Sequence, residues 1–326
     1  MAEGVNPKVS VIIATYNRAE YIGKAITSVI SQIFTDWELI IWNDGSTDDT
    51  ETIVGSFSDQ RIKYFADSNH GKCYALNKAI GKASGRWIAI LDDDDLWKPN
   101  KLQLQTSIMA SHSYIAVFFA NFNNNNLVTG EKGVGFLQNK EAMDILTLEE
   151  KQSGFYVVVD NLLSALLYSN FILPSSTLIQ KDVFELVGTF NEELRNGEDL
   201  ELWWRIYLNG FTFGFTNDIL VERIKPTGSL SSPSVQTYQN HLAALELCYQ
   251  HSKEAQRNDL LPKFRRPFRY SWQGLIRQYG FMGERRKAIK AFISSCHFGL
   301  DLRSMLLTIR AILGLKVMKQ RVKQEI

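Results

Sequence analysis

Trp87-Ile88-Ala89-Ile90-Leu91-Asp92-Asp93-Asp94-Asp95 joins five apolar residues to four consecutive acids. A short apolar run without polar alternation reads as a strand buried on both faces. Four carboxylates at the end of such a strand repel one another strongly, so the run is tolerable mainly where a cation or cationic ligand neutralises it. Its position at a strand end therefore argues for a metal site. A second acidic pair, Glu198-Asp199, stands just before Leu200-Glu201-Leu202-Trp203-Trp204-Arg205.

Outward from the acidic run, the preceding segments alternate between two periods. Val9 to Ala14 is a β-branched run, and Glu20 to Ile33 places Tyr21, Ile22, Ala25, Ile26, Val29, Ile30 and Ile33 at helical spacing. Glu38 to Trp42 repeats the apolar run. Ser46-Thr47-Asp48 supplies capping residues before the stripe that begins with Thr52, Ile53 and Phe57. Arg61 to Phe65 is a third strand, Lys72 to Ala83 a third helix and Arg86 to Leu91 a fourth strand. Strands separated by helices of this length predict a parallel sheet with ligands at the carboxyl ends of its strands. Asn17, Asp44 and Asp92 to Asp95 all lie at such ends.

Beyond Pro99 the pattern predicts a helix to Ser111, an aromatic strand over Ile115 to Phe122 and a short polar turn at Asn123 to Asn126. Some helix is expected near 141–151 and 160–169, then a strand over Ser176 to Gln180 and helices over Asp182 to Val187 and Asp199 to Asn209. Phe211 to Ile224 reads as a hairpin. Residues 235–326 read as helices throughout, broken near Pro262, Gly283 and Gly299.

With 326 residues and 45% hydrophobic content, the chain is long enough for one large core, or one core with an appendage. Cys73, Cys248 and Cys296 form neither a zinc pattern nor an even disulfide set, which predicts a reducing, cytoplasmic setting. Met1 to Lys8 carry no secretion signal, and no long apolar run predicts a membrane span. The net charge of +1 hides an asymmetry: residues 262–326 hold 15 Lys/Arg against 3 Asp/Glu, which leaves residues 1–261 at −11. A basic tail suits an anionic partner.

Five stretches together resemble the family 2 glycosyltransferases. They are Val9 through Thr15-Tyr16-Asn17-Arg18, Trp42-Asn43-Asp44-Gly45-Ser46-Thr47-Asp48, Asn69-His70-Gly71-Lys72 with Ala75 and Asn77, Leu91 through Asp95 with Pro99, and Gly188-Thr189-Phe190-Asn191-Glu192 running to Glu198 through Arg205. The resemblance spans roughly residues 8–230, and the five motifs stand in the family's order. It implies the GT-A fold, an α/β, Rossmann-like, mostly parallel sheet flanked by helices, here with a helical C-terminal extension. The catalytic domain would cover 1–230, with a nucleotide-binding half at about 1–100 and an acceptor half at about 101–230. Residues 235–326 would form the basic helical region.

The resemblance also implies roles. Thr15, Tyr16, Asn17, Asp44, Lys72, Asn77, Asp92 and Asp93 would bind the nucleotide-sugar. Asp44 would accept from the base, and Asp92 would approach the ribose. Asp94 would hold Mg²⁺ or Mn²⁺, while Asp93 or Asp95 assists or faces away. A calcium loop of the EF-hand kind fails, since its sixth and twelfth positions from Asp92 would be Trp97 and Gln103 rather than Gly and Glu. Asp199 would be the general base for inverting transfer, and Glu198 would position the acceptor. Arg205 would brace the helix, with one of Trp203 and Trp204 in the core and the other facing the acceptor. Lys225 stands near where many members carry a His, and would meet the diphosphate directly.

The implied activity is metal-dependent transfer from a nucleotide-sugar, with UDP favoured, to a glycan or lipid-linked glycan in surface polysaccharide assembly. The basic helices would lie on anionic lipid at the inner face of the plasma membrane, and no nucleic-acid partner is expected. Two rivals are a nucleotidyltransferase and a GT-A nucleotide- or carbohydrate-binding scaffold without turnover. The first usually shows a Gly-rich basic loop after the first strand, which Thr15-Tyr16-Asn17-Arg18 is not. The second is disfavoured by the intact pair of Asp94 and Asp199.

Overall fold

Four strands and three helices follow the expected alternation in the computed structural model, which describes residues 8–127, 129–135, 140–225, 233–299 and 302–313. They are β1 (Val9–Thr15), α1 (Ala19–Ile30), β2 (Trp37–Asn43), α2 (Thr50–Gly55), β3 (Ile62–Ala66), α3 (Lys72–Lys82) and β4 (Trp87–Ile90). All pair in parallel in the order β3-β2-β1-β4. β2 and β4 are buried throughout because helices cover both faces, which is why their sequences do not alternate. From β1 the chain winds outward to β3, then returns to the other side as β4. That reversal opens a crevice at the carboxyl ends of β1 and β4.

The chain continues through β5 (Leu96–Trp97), α4 (Lys101–Ser111), β6 (Ile115–Asn126), β7 (Lys132–Val134), α5 (Lys140–Ile145), β8 (Thr147–Gln152), β9 (Phe155–Asp160) and α6 (Leu162–Tyr168). Then come β10 (Thr177–Gln180), α7 (Lys181–Val187), α8 (Glu198–Leu208) and β11 (Thr212–Lys225). These strands extend the sheet as β4-β10-β6-β11-β9-β8, mostly antiparallel, with β6 and β11 parallel. The parallel character is thus concentrated in the first half.

Three local expectations are corrected. Asn123 to Asn126 continue β6 instead of turning, because β11 pairs along them and Asn123 and Asn125 donate to Glu222 at 2.9 and 2.8 Å. Phe211 to Ile224 is no hairpin. Asn217-Asp218 is a bulge inside one long strand, where Thr216 Oγ1 contacts Asp218 Oδ2 at 2.7 Å. The helix expected near 141–151 is cut to α5, because Thr147 onward enters the β8–β9 hairpin that the Val157-Val158-Val159 run favours, while the helix expected near 160–169 is present as α6.

Four helices follow: α9 (Val235–Glu254), α10 (Arg265–Phe281), α11 (Arg285–Cys296) and α12 (Leu302–Leu313). Leu245, Cys248, Phe264 and Phe268 belong to the same apolar core as the sheet, while Leu275, Ile276, Ala291 and Leu307 form a smaller cluster. Trp203 and Trp204 are both fully buried, so neither ring faces an acceptor. Trp204 instead docks the helices, against Phe264 at 5.3 Å and through Nε1 to Ser252 Oγ at 3.0 Å. The basic stretch Lys316 to Lys323 lies outside the described residues.

Glu38 clamps the parallel half of the sheet from inside. It accepts from Ser10 Oγ at 2.5 Å, from Ser84 N and Oγ at 2.7 and 2.6 Å, and from Lys63 Nζ at 2.6 Å, tying β1, β2, β3 and the turn before β4. Burial acts to raise its pKa, but Lys63 and the two serines override it and hold it at about 2, against an ordinary value of 4.5. A depressed carboxylate stabilises the fold above its unfolded pKa and loses that contribution as pH falls through its folded one. Glu38→Gln is expected to cost on the order of 3 kcal/mol at pH 7. It should also flatten the loss of stability between pH 4.5 and about 2, measured by urea denaturation.

Candidate active site

The carboxyl ends of β1, β2 and β4 face the start of α8 across a cavity of about 410 Å³. Thr15, Tyr16, Asp44, Lys72, Asp92, Asp93, Asp94, Glu198 and Asp199 all line it. Asn17 and Asn77, expected in the nucleotide pocket, do not. Asn17 takes a left-handed backbone conformation (φ 52°), which asparagine tolerates, and Oδ1 accepts from Thr47 N at 2.7 Å. It thereby fastens the end of β1 to the turn after β2. Asn77 exchanges hydrogen bonds with the Phe190 backbone, both at 2.9 Å, and donates to Glu192 at 2.8 Å, joining α3 to the loop before α8.

Asp44 is buried, and its two oxygens accept from His70 N and Gly71 N, both at 2.8 Å. It therefore shapes the 69–71 loop that leads into α3. Gly45 permits that closeness: at φ 79° it meets the loop so tightly that a Cβ would stand 2.8 Å from Asn69 N.

The four acids of the opening motif have different partners. Asp92 pairs with Lys72 at 2.8 Å, and the same ammonium lies 3.3 Å from Glu198. Burial would lower the pKa of Lys72, but Asp92 and Glu198 raise it well above the ordinary lysine value. Asp93 lies 3.5 Å from Arg18. Asp95 is the one turned into the protein, accepting from Ser175 Oγ at 2.6 Å and from Ile224 N at 3.0 Å. Asp94 alone of the four has no ion pair or hydrogen bond with another described residue. Burial and the neighbouring carboxylates push Asp93 up to about 7 and Asp94 up to about 6. Burial likewise raises Asp95.

Across the cavity, Asp199 sits in the first turn of α8 and accepts from Asn170 Nδ2 at 3.0 Å. Burial and then Glu198 push its pKa up. Gly197 caps α8 at φ 80°, where a Cβ would stand 2.8 Å from Ala244 Cβ of α9. Arg205 braces the helix: it pairs with Glu201 at 2.6 Å and donates to the carbonyls of Val187 and Thr189. Lys225 lines the cavity beside Arg223, and burial followed by Arg223 lowers its pKa to about 8. Arg18, Arg195, Arg223, Asn170 and Ser175 were missed as site residues. Arg18 and Arg195 fall within quoted motif stretches but carry no signal of their own, Arg223 is brought in by β11, and Asn170 and Ser175 come from the segment between α6 and β10.

Among the described residues no group of three or more His, Cys, Asp or Glu side chains is arranged to enclose a metal ion. Mg²⁺ and Mn²⁺ do not require such a cage, since one or two carboxylates suffice where phosphate oxygens and water complete the shell. Asp94, a hard oxygen donor with no ion pair or hydrogen bond to another described residue, lines a cavity of about 410 Å³ and fits that role.

A family model described as glycosyl transferase family 2 matches residues 10–164. Over 229 residues the chain is 30% identical to TuaG of Bacillus subtilis, a putative teichuronic acid biosynthesis glycosyltransferase, covering 69% of this chain and 82% of that protein. The chain belongs to glycosyltransferase family 2. It is also 40% identical over 126 residues to WfgD of Escherichia coli, a UDP-Glc:alpha-D-GlcNAc-diphosphoundecaprenol beta-1,3-glucosyltransferase, covering 38% of this chain and 49% of that one. The chain spans less than two thirds of the length of most of the curated relatives it matches. S. aureus TarS, solved as residues 1–349 with UDP-GlcNAc, has a TM-score of 0.59 at 19% identity over 89% of each chain. That likeness is one of fold, and the fold is GT-A.

The placement of Asn77 separates bracing from binding in this family 2 member. Asn77→Ala is expected to lower stability by about 1–2 kcal/mol through the lost Phe190 and Glu192 bonds. Any nucleotide affinity measured with UDP as the probe should change less than about twofold, with thermal unfolding and calorimetry as the paired measurements.

Proposed function

We propose that the chain is an inverting, metal-assisted glycosyltransferase that moves a sugar from a UDP-sugar to a hydroxyl of a glycan or lipid-linked glycan in surface polysaccharide assembly. One observation carries the reading: two acidic sets of different character share a cavity. Asp92 to Asp94 stand at the strand ends, and Asp199 stands opposite with a raised pKa and a hydrogen bond that orients it. The activities named for WfgD and TuaG, and the UDP-GlcNAc bound to TarS, support a UDP donor and a surface-polymer product.

In this reading Thr15, Tyr16 and Asp44 receive the base. Asp44 retains lone pairs beyond those taken by the 70–71 backbone. Asp92 reaches the ribose while Lys72 holds it in place. Bound at Asp94, Mg²⁺ or Mn²⁺ would neutralise charge on the departing diphosphate, as a Lewis acid does. Arg223 and Lys225 add cationic charge on the same side, and Lys225 gains protonation as phosphate approaches. Asp199 takes the proton from the acceptor hydroxyl as its oxygen bonds to the anomeric carbon. The bond to the diphosphate breaks, UDP leaves, and the anomeric configuration inverts. Glu198, buried against Lys72, positions the acceptor.

The apolar stripe of α12 supports a peripheral membrane location at the cytoplasmic face. Leu302, Met305, Leu306, Ile309 and Leu313 are exposed, while Ser304, Leu307 and Ala311 pack inward. Ile289 and Ile293 of α11 are exposed too, among Arg285, Arg286 and Lys290. No helix among the described residues is long and apolar enough to cross a membrane. Exposed apolar side chains flanked by arginine and lysine supply both contributions that hold a helix at an anionic interface.

Two substitutions test the chemistry. Asp94→Ala should abolish transfer and weaken Mn²⁺-dependent UDP affinity by calorimetry, and unchanged affinity would remove Asp94 from the metal site. Asp199→Asn should retain UDP binding and lose about two to four orders of magnitude in turnover. In the parent enzyme, kcat/KM should fall on the acid side at a pH above the ordinary aspartate value of 3.8, because only the deprotonated base is active and its pKa is raised. For the membrane, flotation with anionic and neutral vesicles at low and high salt should show salt-sensitive binding to the anionic ones. Flotation with neither would refute the peripheral location.

A further inference from the structure

A second cavity, of about 250 Å³, lies among α6, the start of α8, α9 and α10. Asn170 links it to the candidate active site: it lines this cavity while its Nδ2 donates to Asp199 Oδ2. Leu200, the residue after Asp199, lines it as well. Its floor is apolar, built from the buried side chains of Leu166, Leu167, Leu200, Leu245 and Pro267. Arg266 and Tyr270 are exposed at its rim.

The polar groups here are of one kind. No Asp or Glu lines the cavity, and the Arg266 guanidinium stacks on the Tyr168 ring at 3.5 Å with no ion-pair partner among the described residues. Stacking leaves the in-plane N–H groups of a guanidinium available to a bidentate anion. His241 also lines the cavity. Burial lowers its pKa to about 4, so its ring is neutral near pH 7. Ser271 Oγ lies 2.7 Å from His241 Nδ1 and 3.1 Å from Pro267 O, so Nδ1 is engaged within the protein and Nε2 is the ring nitrogen left for a ligand.

We propose that this cavity is the acceptor subsite and takes a saccharide bearing a phosphate or carboxylate, whose reacting hydroxyl reaches Asp199. The assignment rests on Asp199 as the base in the function proposed above. The apolar floor suits the C–H face of a sugar ring. His241 Nε2 exchanges a hydrogen bond with a sugar hydroxyl, and Arg266 pairs with the anionic group without competition from a carboxylate among the described residues. A neutral sugar would leave the guanidinium unpaired, so Arg266 selects for charge.

Calorimetry on the full chain tests this. UDP affinity is read first, and N-acetylglucosamine 1-phosphate, glucuronic acid, N-acetylglucosamine and inorganic phosphate are then titrated into protein saturated with UDP. The two anionic saccharides are expected to bind at least about tenfold more tightly than neutral N-acetylglucosamine. Arg266→Gln, a change at an exposed position, should bring that ratio close to one, and Arg266→Lys should keep part of it. An identical ratio in the parent and Arg266→Gln proteins, or no saccharide binding in the parent, would overturn the proposal. So would inorganic phosphate binding as tightly as the sugar phosphate. Which anionic saccharide binds better separates a phosphate-bearing from a uronate acceptor. Absence of UDP binding would instead overturn the proposed donor chemistry, and the Arg266 dependence titrated without UDP would still report on the cavity.

Discussion

Lys72 stands 2.8 Å from Asp92 and 3.3 Å from Glu198, and this bridge lets two acidic segments from distant parts of the chain face one cavity. Without it, Asp92, Asp93, Asp94, Glu198 and Asp199 would bring five carboxylates together in a partly desolvated space, where like charges repel far more strongly than in water. The protein reduces this repulsion in four ways. Lys72 serves Asp92 and Glu198, Arg18 serves Asp93, buried hydrogen bonds hold Asp95, and protonation becomes easier where no cation arrives. Asp94 is the charge left without a partner among the described residues, which is the feature the proposed metal role rests on.

The scaffold around this bridge is stiff because its loops are tied by side chains rather than by sheet ladders alone. Asn17 and Asp44 fasten the ends of β1 and β2 to adjoining turns, and Asn77 fastens α3 to the loop that delivers α8. Glu38 ties the same strands from within. Residues whose types suggest ligand binding here spend their hydrogen bonds on the protein, and the ligand-facing surface is what those bonds hold open.

The C-terminal helices belong to the same construction. Trp204 and Phe264 share one apolar core, and Gly197 brings α9 within van der Waals range of the turn carrying Glu198 and Asp199. The helices therefore pack against the side of the cavity that carries Glu198 and Asp199, which a loosely attached basic tail would not do. Their outward stripe of leucine, isoleucine and methionine stays free for a different surface.

Local chemistry was enough to read the parallel half of the sheet. Continuous apolar runs between amphipathic stripes produce parallel strands and crossover helices, and acids after such runs must fall at the carboxyl ends, so Asp44 and Asp92 to Asp95 were legible. The Glu198-Asp199 pair at a helix start stood out only through its place in the fifth family motif. Pattern could not assign the partners. Asn77 looks like a ligand contact in its motif, yet only the packing of α3 against residues 190–192 shows where its amide points. Asn123 to Asn126 have the composition of a turn and become strand because β11 offers them a ladder and Glu222 offers them a carboxylate. Trp203 and Trp204 are both buried because helices more than thirty residues further along the chain cover the second ring. Short-range sequence sets backbone period and chain reversals, whereas the tertiary fold decides which hydrogen-bonding groups are already paired and therefore which remain for a substrate.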